Sequence, residues 1–271
     1  MTILCDTFRS LAFRTWDQLA RARRVGHQPL EETFTDVNLL ELKDRHPREV
    51  ITQVFNKPKE GINGADWEWW LTDAAGSQWL GLRVQAKVLD LRTNKFEHLH
   101  YRNGRAYQAS KLQNTCGRLG LVPLYCLYMQ SDKDNQLPDR CGSFAHAKES
   151  FGCSLVSLAV VNKLRRAGSR RGLIDLAPAC VPWHCLVCCE GYGGNSLPER
   201  GWELLQAVLE IRPSRQISEN TPQVGIRPEP PLYVRRLLDQ PLSEPPDSAL
   251  RGIVVVKETE SNERSPADPR Q

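Results

Sequence analysis

The stretch "NGADWEWWLTDAAGSQWLGLRVQAK", Asn63–Lys87, decides how this chain is read. Two runs rich in Trp, Leu and Val flank "TDAAGS", which has the composition of a hairpin turn. Successive side chains of a strand point to opposite faces. On the first run Asp66, Glu68 and Trp70 therefore share one side, and Ala65, Trp67, Trp69 and Leu71 the other. On the second, Arg83, Gln85 and Lys87 share a face opposite Leu82, Val84 and Ala86. If the runs pair as a hairpin, Asp66 comes near the Gln85/Lys87 end, away from the turn. A carboxylate, an amide oxygen and a backbone carbonyl suit a hard cation such as Mg²⁺. A lysine beside that ion can position a water or offset phosphate charge. Metal-assisted phosphodiester hydrolysis needs those components.

The 271 residues are 40% hydrophobic, enough for one domain with a sizeable core. Mean hydropathy is −0.47. No apolar run approaches the roughly 18 residues of a membrane span. The first 24 residues carry charge throughout and do not read as a signal peptide, so the expected location is cytoplasmic, with no membrane partner. Nine cysteines is an odd number, and without a secretory signal reduced thiols are the expectation. A net charge of +4 permits a polyanionic partner without demanding one.

Outward from the hairpin, residues 6–24 read as an amphipathic helix with Phe8, Leu11, Trp16 and Leu19 on one side. "LEETFTDVNLLELKDRHP" reads as a second helix stopped by Pro47, and "EVITQVF" as a strand. After the hairpin come a polar loop, a helix over "AYQASKLQNTCGRLG" and a buried strand, "LVPLYCLYM". Residues 144–166 read as mostly helical with a break at Gly152, "PWHCLVCC" as a strand, and "LPERGWELLQAVLEI" as a helix. Past Ile211 the chain turns Pro-rich and polar. The expected organisation is an α/β domain over 1–211 and a linker and tail over 212–271, disordered at its end. Within the tail, "LYVRRLLD" reads as a short helix, and 251–257 as an edge strand. Helices interspersed with strands in this order imply a mixed sheet with helices on its faces.

"GAD" followed by "VQAK" on the next strand resembles the PD-(D/E)XK nuclease superfamily, in its variant with Gln where an acid is usual. The likeness covers roughly residues 30–130. It implies a restriction-endonuclease-like core, with the C-terminal part adding α+β elements. It implies Mg²⁺ (or Mn²⁺) held by Asp66, the side-chain carbonyl of Gln85 and the backbone carbonyl of Ala86. Lys87 would orient the water, and Glu31 or Glu32 on the preceding helix would complete the metal shell. Gln108 or Lys111 on the helix after the hairpin would reach the scissile phosphate. The implied partner is nucleic acid, DNA more than RNA, and a homodimer is allowed. The fuller pattern of "EETFTD", "GADWEWW", "RVQAK" and "PLYCLY" also resembles an uncharacterised bacterial family of unknown function.

Plainer readings stand beside these. Glu68 either adds a ligand or pairs with Arg83 across the strands. Trp67 and Trp69 read as core rather than as base-stacking platforms. Lys57 and Lys59 read as solvated loop residues, and Glu60 is a further candidate for the site. "CVPWHCLVCC" contains a CxxC, but no second distant pair accompanies it, so buried packing is favoured over zinc. His98 and His100 read as an exposed loop. Cys153 has no base nearby in sequence that would make it a nucleophile.

Overall fold

A computed structural model of the chain describes residues 3–55, 67–131, 137–188, 192–212, 222–247 and 250–259. The N-terminal half holds α1 (Ile3–Arg24), α2 (Glu31–Arg45), β1 (Val50–Val54), β2 (Trp67–Thr72) and β3 (Trp79–Val88). The two-residue strands β4 (Arg102–Asn103) and β5 (Ala106–Tyr107) follow, then α3 (Gln108–Leu119) and β6 (Val122–Tyr128). The C-terminal half holds β7 (Cys153–Ser157), α4 (Leu158–Arg166), α5 (Leu173–Leu176), β8 (Val181–Pro182), α6 (Cys185–Cys188) and α7 (Leu197–Ala207). It ends with β9 (Ile226–Arg227), α8 (Leu232–Asp239) and β10 (Gly252–Lys257).

The main sheet runs β1-β10-β2-β3-β6-β7-β8, with β9 added on β3. It is mixed: β10 is parallel to β2 and β3 to β6, while β2–β3 and the remaining pairs are antiparallel. Glu68 lies opposite Arg83, and Trp67 opposite Val84, a register that keeps the faces set by the alternation of the two runs. All six residues of β2 are buried, so the strand is covered on both faces.

One face takes α1 and α2. Phe8 of α1 meets Trp69 edge-on at 5.9 Å, and the Trp183 ring closes the group 6.0 Å from Trp69. Each such aromatic pair contributes about 0.5–1.5 kcal/mol beyond its area. Trp67 and Trp69 are therefore core, 2% and 8% exposed. The opposite face carries Glu68, Trp70, Arg83, Gln85 and Lys87. There the guanidinium of Arg227 sits 5.2 Å from the centre of the Trp70 ring, and Tyr233 of α8 donates its hydroxyl to Glu68. α3 ends at Gly120, whose φ of 63° is the left-handed conformation that glycine adopts without strain.

Four expectations need correction. Residues 144–166 are not one broken helix: a 3₁₀ turn over Lys148–Gly152 leads into β7 before α4 begins. β7 pairs with β6 and is buried on both faces, and a short apolar run of that kind does not reveal its period. "PWHCLVCC" gives only the end of β8 and then the helical turn α6. The strand of the C-terminal segment is not at an edge, because β10 lies between β1 and β2. Finally, the thiols are not all reduced, since Cys5 and Cys188 form a disulfide that ties α1 to α6.

Gly252 shows how tightly β10 is built in. A Cβ there would overlap the edge of the Trp67 ring and stand 2.7 Å from the Gln53 carbonyl oxygen. We expect Gly252→Ala to lower stability by about 1–3 kcal/mol, the usual cost of overpacking. Chemical denaturation checks it, and an unchanged midpoint would mean that β10 packs elsewhere. No helix among the described residues is long and apolar enough to cross a membrane.

Candidate functional site

β3 carries a row of polar residues into the interior. Arg83, Gln85 and Lys87 alternate along one face and are 1%, 1% and 4% exposed. Charges buried this far must be paired, because an ammonium or guanidinium taken from water alone is very costly. Arg83 is paired with Glu68 at 3.5 Å and Asp247 at 2.9 Å. Glu68 also accepts from Trp70 Nε1 at 2.8 Å. Its carboxyl is pushed above the ordinary range by burial, against the opposing pull of Tyr233, Arg83 and Trp70. Glu68 thus belongs to an internal ion-pair network.

Lys87 is paired differently. Its Nζ lies 3.3 and 3.4 Å from the two carboxylate oxygens of Glu31. Glu31 is the first residue of α2, where a negative side chain also meets the positive end of the helix dipole. Pro29 and Leu30 set the entry: Leu30 is extended, with ψ of 149°, and the helix starts immediately after it. Glu32, next in sequence, turns to Arg251 instead, 2.9 Å away. The helix therefore separates two acids that sequence alone leaves equivalent.

Glu31, Glu32, Gln85, Lys87 and Gln108 line one cavity of about 480 Å³. Gln108 opens α3 and is buried, yet its Oε1 has no hydrogen-bond partner among the described residues. Lys111, one turn further along α3, is not among the lining residues. Ala86 points its side chain to the other face, toward Trp67, Trp69 and Cys126, while its carbonyl lies 3.5 Å from Gln85 Nε2. Asp66, Lys57, Lys59 and Glu60 lie outside the described residues; Asp66 directly precedes Trp67, the first residue of β2.

The cavity also gathers Asp90, from the end of the run that reads as a long strand, and Glu97, His98 and Tyr101, from a segment that reads as plain polar loop. Asp90 caps its own turn, accepting from the backbone of Arg92 and Thr93, and those bonds hold its carboxyl below the usual range. Glu97 is paired with Arg171 at 2.8 Å. His98 is exposed and faces Tyr101 edge-on, whereas His100 gives its Nε2 to the Arg170 carbonyl at 2.8 Å. The sequence signal for Glu97, His98 and Tyr101 is "EHLHY", whose histidines read only as an exposed loop.

On the far side of the same loop, Arg23, Lys95, Arg170 and Arg171 line a second cavity of about 820 Å³ with Thr93 and Asn94. Cys153 offers no nucleophile. It is fully buried, its sulfur is hydrogen-bonded to Thr15 and Asn38, and burial pushes the thiol well above its ordinary value.

An α/β fold with a mixed, helix-flanked sheet and a polar cavity at the end of its longest strand defines the class of this protein. The chain belongs to a family of unknown function, DUF6615, whose model matches residues 4–262, nearly its whole length. No curated protein matches it.

Proposed function

We propose that this protein is a metal-dependent nuclease with a restriction-endonuclease-like core, acting on the phosphodiester bonds of DNA. The observation that supports this reading is the cavity that Gln85 and Lys87, two residues apart on β3, share with the Glu31 carboxylate. The donor set is mostly hard, carboxylate and amide oxygens with no sulfur among the described lining residues and one imidazole, His98, which fits Mg²⁺ or Mn²⁺. The buried Gln108 Oε1 without a partner is an atom that a hydrated cation's water would satisfy. Glu31 and Gln85 would hold the ion, with Asp66 as a second carboxylate next in chain to Trp67, whose strand partner Val84 adjoins Gln85. Glu32 and the Ala86 carbonyl are further donors. When bound, the ion supplies Lewis acidity at the phosphoryl oxygen and a more acidic water.

The protein's own groups supply the rest. Lys87 offsets phosphate charge and orients the attacking water, and Glu31 holds its ammonium in place. Gln108 directs its amide at a phosphate oxygen, and Lys111 contributes charge from further along α3. Arg23, Lys95, Arg170 and Arg171 beyond the 90–97 loop, partly offset by Asp175 and Glu97, leave a net positive patch that would suit a polyanion.

The test is incubation of the purified chain with double-stranded DNA, single-stranded DNA and RNA, with Mg²⁺, Mn²⁺ or EDTA. Cleavage with a divalent ion that EDTA abolishes is expected; no cleavage of any substrate with any ion overturns the proposal. A non-catalytic nucleic-acid-binding module on the same fold is the second reading. It is favoured by the neutral amide at Gln85 and by the existing Lys87–Glu31 pair. It gives binding that weakens with salt and no hydrolysis. A third reading, a protein-interaction module, gives neither cleavage nor binding of nucleic acid.

A further inference from the structure

His184, in the link from β8 to α6, and Cys185, the first residue of α6, are both fully buried. The sequence offers no second ligand pair near them, but the fold brings one more sulfur in. Cys141, from the segment before the 3₁₀ turn, places its Sγ 3.4 Å from His184 Nε2. The ligand atoms of Cys141, His184 and Cys185 all lie within 4.8 Å of one another. Zn–S bonds of about 2.3 Å and Zn–N bonds of about 2.1 Å at tetrahedral angles put sulfur and nitrogen about 3.6 Å apart. The observed spacing is close to that.

The imidazole is otherwise poorly satisfied. Its Nδ1 is buried with no hydrogen-bond partner among the described residues, and Nε2 has the Cys141 sulfur. The edge-on Phe144 ring, 5.5 Å away, offers no acceptor. A thiol is a weak partner for a buried ring nitrogen, so Nε2 is placed to take a soft metal ion in its stead, whereas Nδ1 is unaffected by that choice. Cys188, one turn beyond Cys185, is taken up by the disulfide to Cys5 and does not compete.

We propose that Cys141, His184 and Cys185 form a zinc site. Two thiolates and an imidazole gathered within 4.8 Å select this ion over hard cations. Binding converts both thiols to thiolates and releases their two protons to solvent. A water completes the coordination on the side of Cys141, the half-buried member. The ion clamps the segment around Cys141 to α6. None of its ligands lines the cavity of Lys87, so the site stands or falls independently of the nuclease reading.

The experiment is metal analysis of the full chain purified anaerobically from zinc-supplemented cells, followed by replacement with Co²⁺. About one zinc per chain is expected, with the intense visible absorption of tetrahedral cobalt and a thiolate-to-cobalt charge-transfer band. Cys141→Ser is expected to bind zinc about ten-fold or more weakly while keeping the wild-type circular dichroism. Should the wild-type chain carry only traces of zinc and give the pale spectrum of octahedral cobalt, the site does not exist. Undiminished zinc in Cys141→Ser equally overturns it.

Discussion

Replacing Lys87 by alanine is expected to lower divalent-dependent DNA cleavage about 10²–10⁴-fold, the range for a positioned proton-transfer or charge-stabilising group. The effect should be large because no second ammonium lines that cavity among the described residues: its other described lining residues are carboxylates, amides, an imidazole, a phenol and apolar side chains. Folding should suffer much less. The substitution removes a nearly buried charge together with its need for a partner, and Glu31, 28% exposed on its side chain, regains water. Lys87→Arg should not restore the rate, because a planar fork cannot replace a compact ammonium held between two carboxylate oxygens. Initial rates measured beside thermal melts separate chemistry from stability. A Lys87→Ala chain that melts like wild type and cuts at the wild-type rate would remove the basis for a nuclease here.

The parts of this site that were legible in the sequence lie on regular elements. Period-two alternation alone put Arg83, Gln85 and Lys87 on one face of β3, and the hairpin turn put Glu68 opposite Arg83. The helix before β1 was visible in its Pro47 stop, and its first turn does carry an acid to Lys87. Which acid was not visible. Glu31 and Glu32 are neighbours, and the choice is made by Arg251, a residue more than 200 positions away that enters beside β10. Contacts of that range leave no local trace. The same holds for Cys141 beside His184, for the disulfide from Cys5 to Cys188, and for β10 between β1 and β2. β7 was hidden for another reason. "CSLVS" is buried on both faces, so its alternation carries no polarity contrast and merges with the apolar start of α4.

Gly152→Ala is the substitution expected to damage the fold most. Gly152 ends the 3₁₀ turn and reads in the sequence merely as a break in a helix. In the fold it is a crossing point. A Cβ there would overlap the Ala12 carbonyl oxygen and come within 2.7 Å of the Trp16 amide nitrogen. Both are backbone atoms of α1, so no rotamer change relieves the clash. Its carbonyl is also fixed, accepting from Met129 N–H at 3.3 Å just past β6. The added methyl therefore has to move α1 as a body, and Phe8, Leu11, Trp16 and Leu19 of that helix are all buried. Interiors are packed too densely to absorb such a shift. The cost should reach about 3 kcal/mol or more, above the usual overpacking range because the obstacle is main chain. For a chain of this size that corresponds to a melting temperature lower by about 6–12 °C. Denaturant titration gives the free energy and calorimetry the temperature. A loss under about 1 kcal/mol would mean that α1 does not press on the turn before β7. The aromatic packing of Phe8 against Trp69, which seats the core side of the hairpin, would then need another explanation.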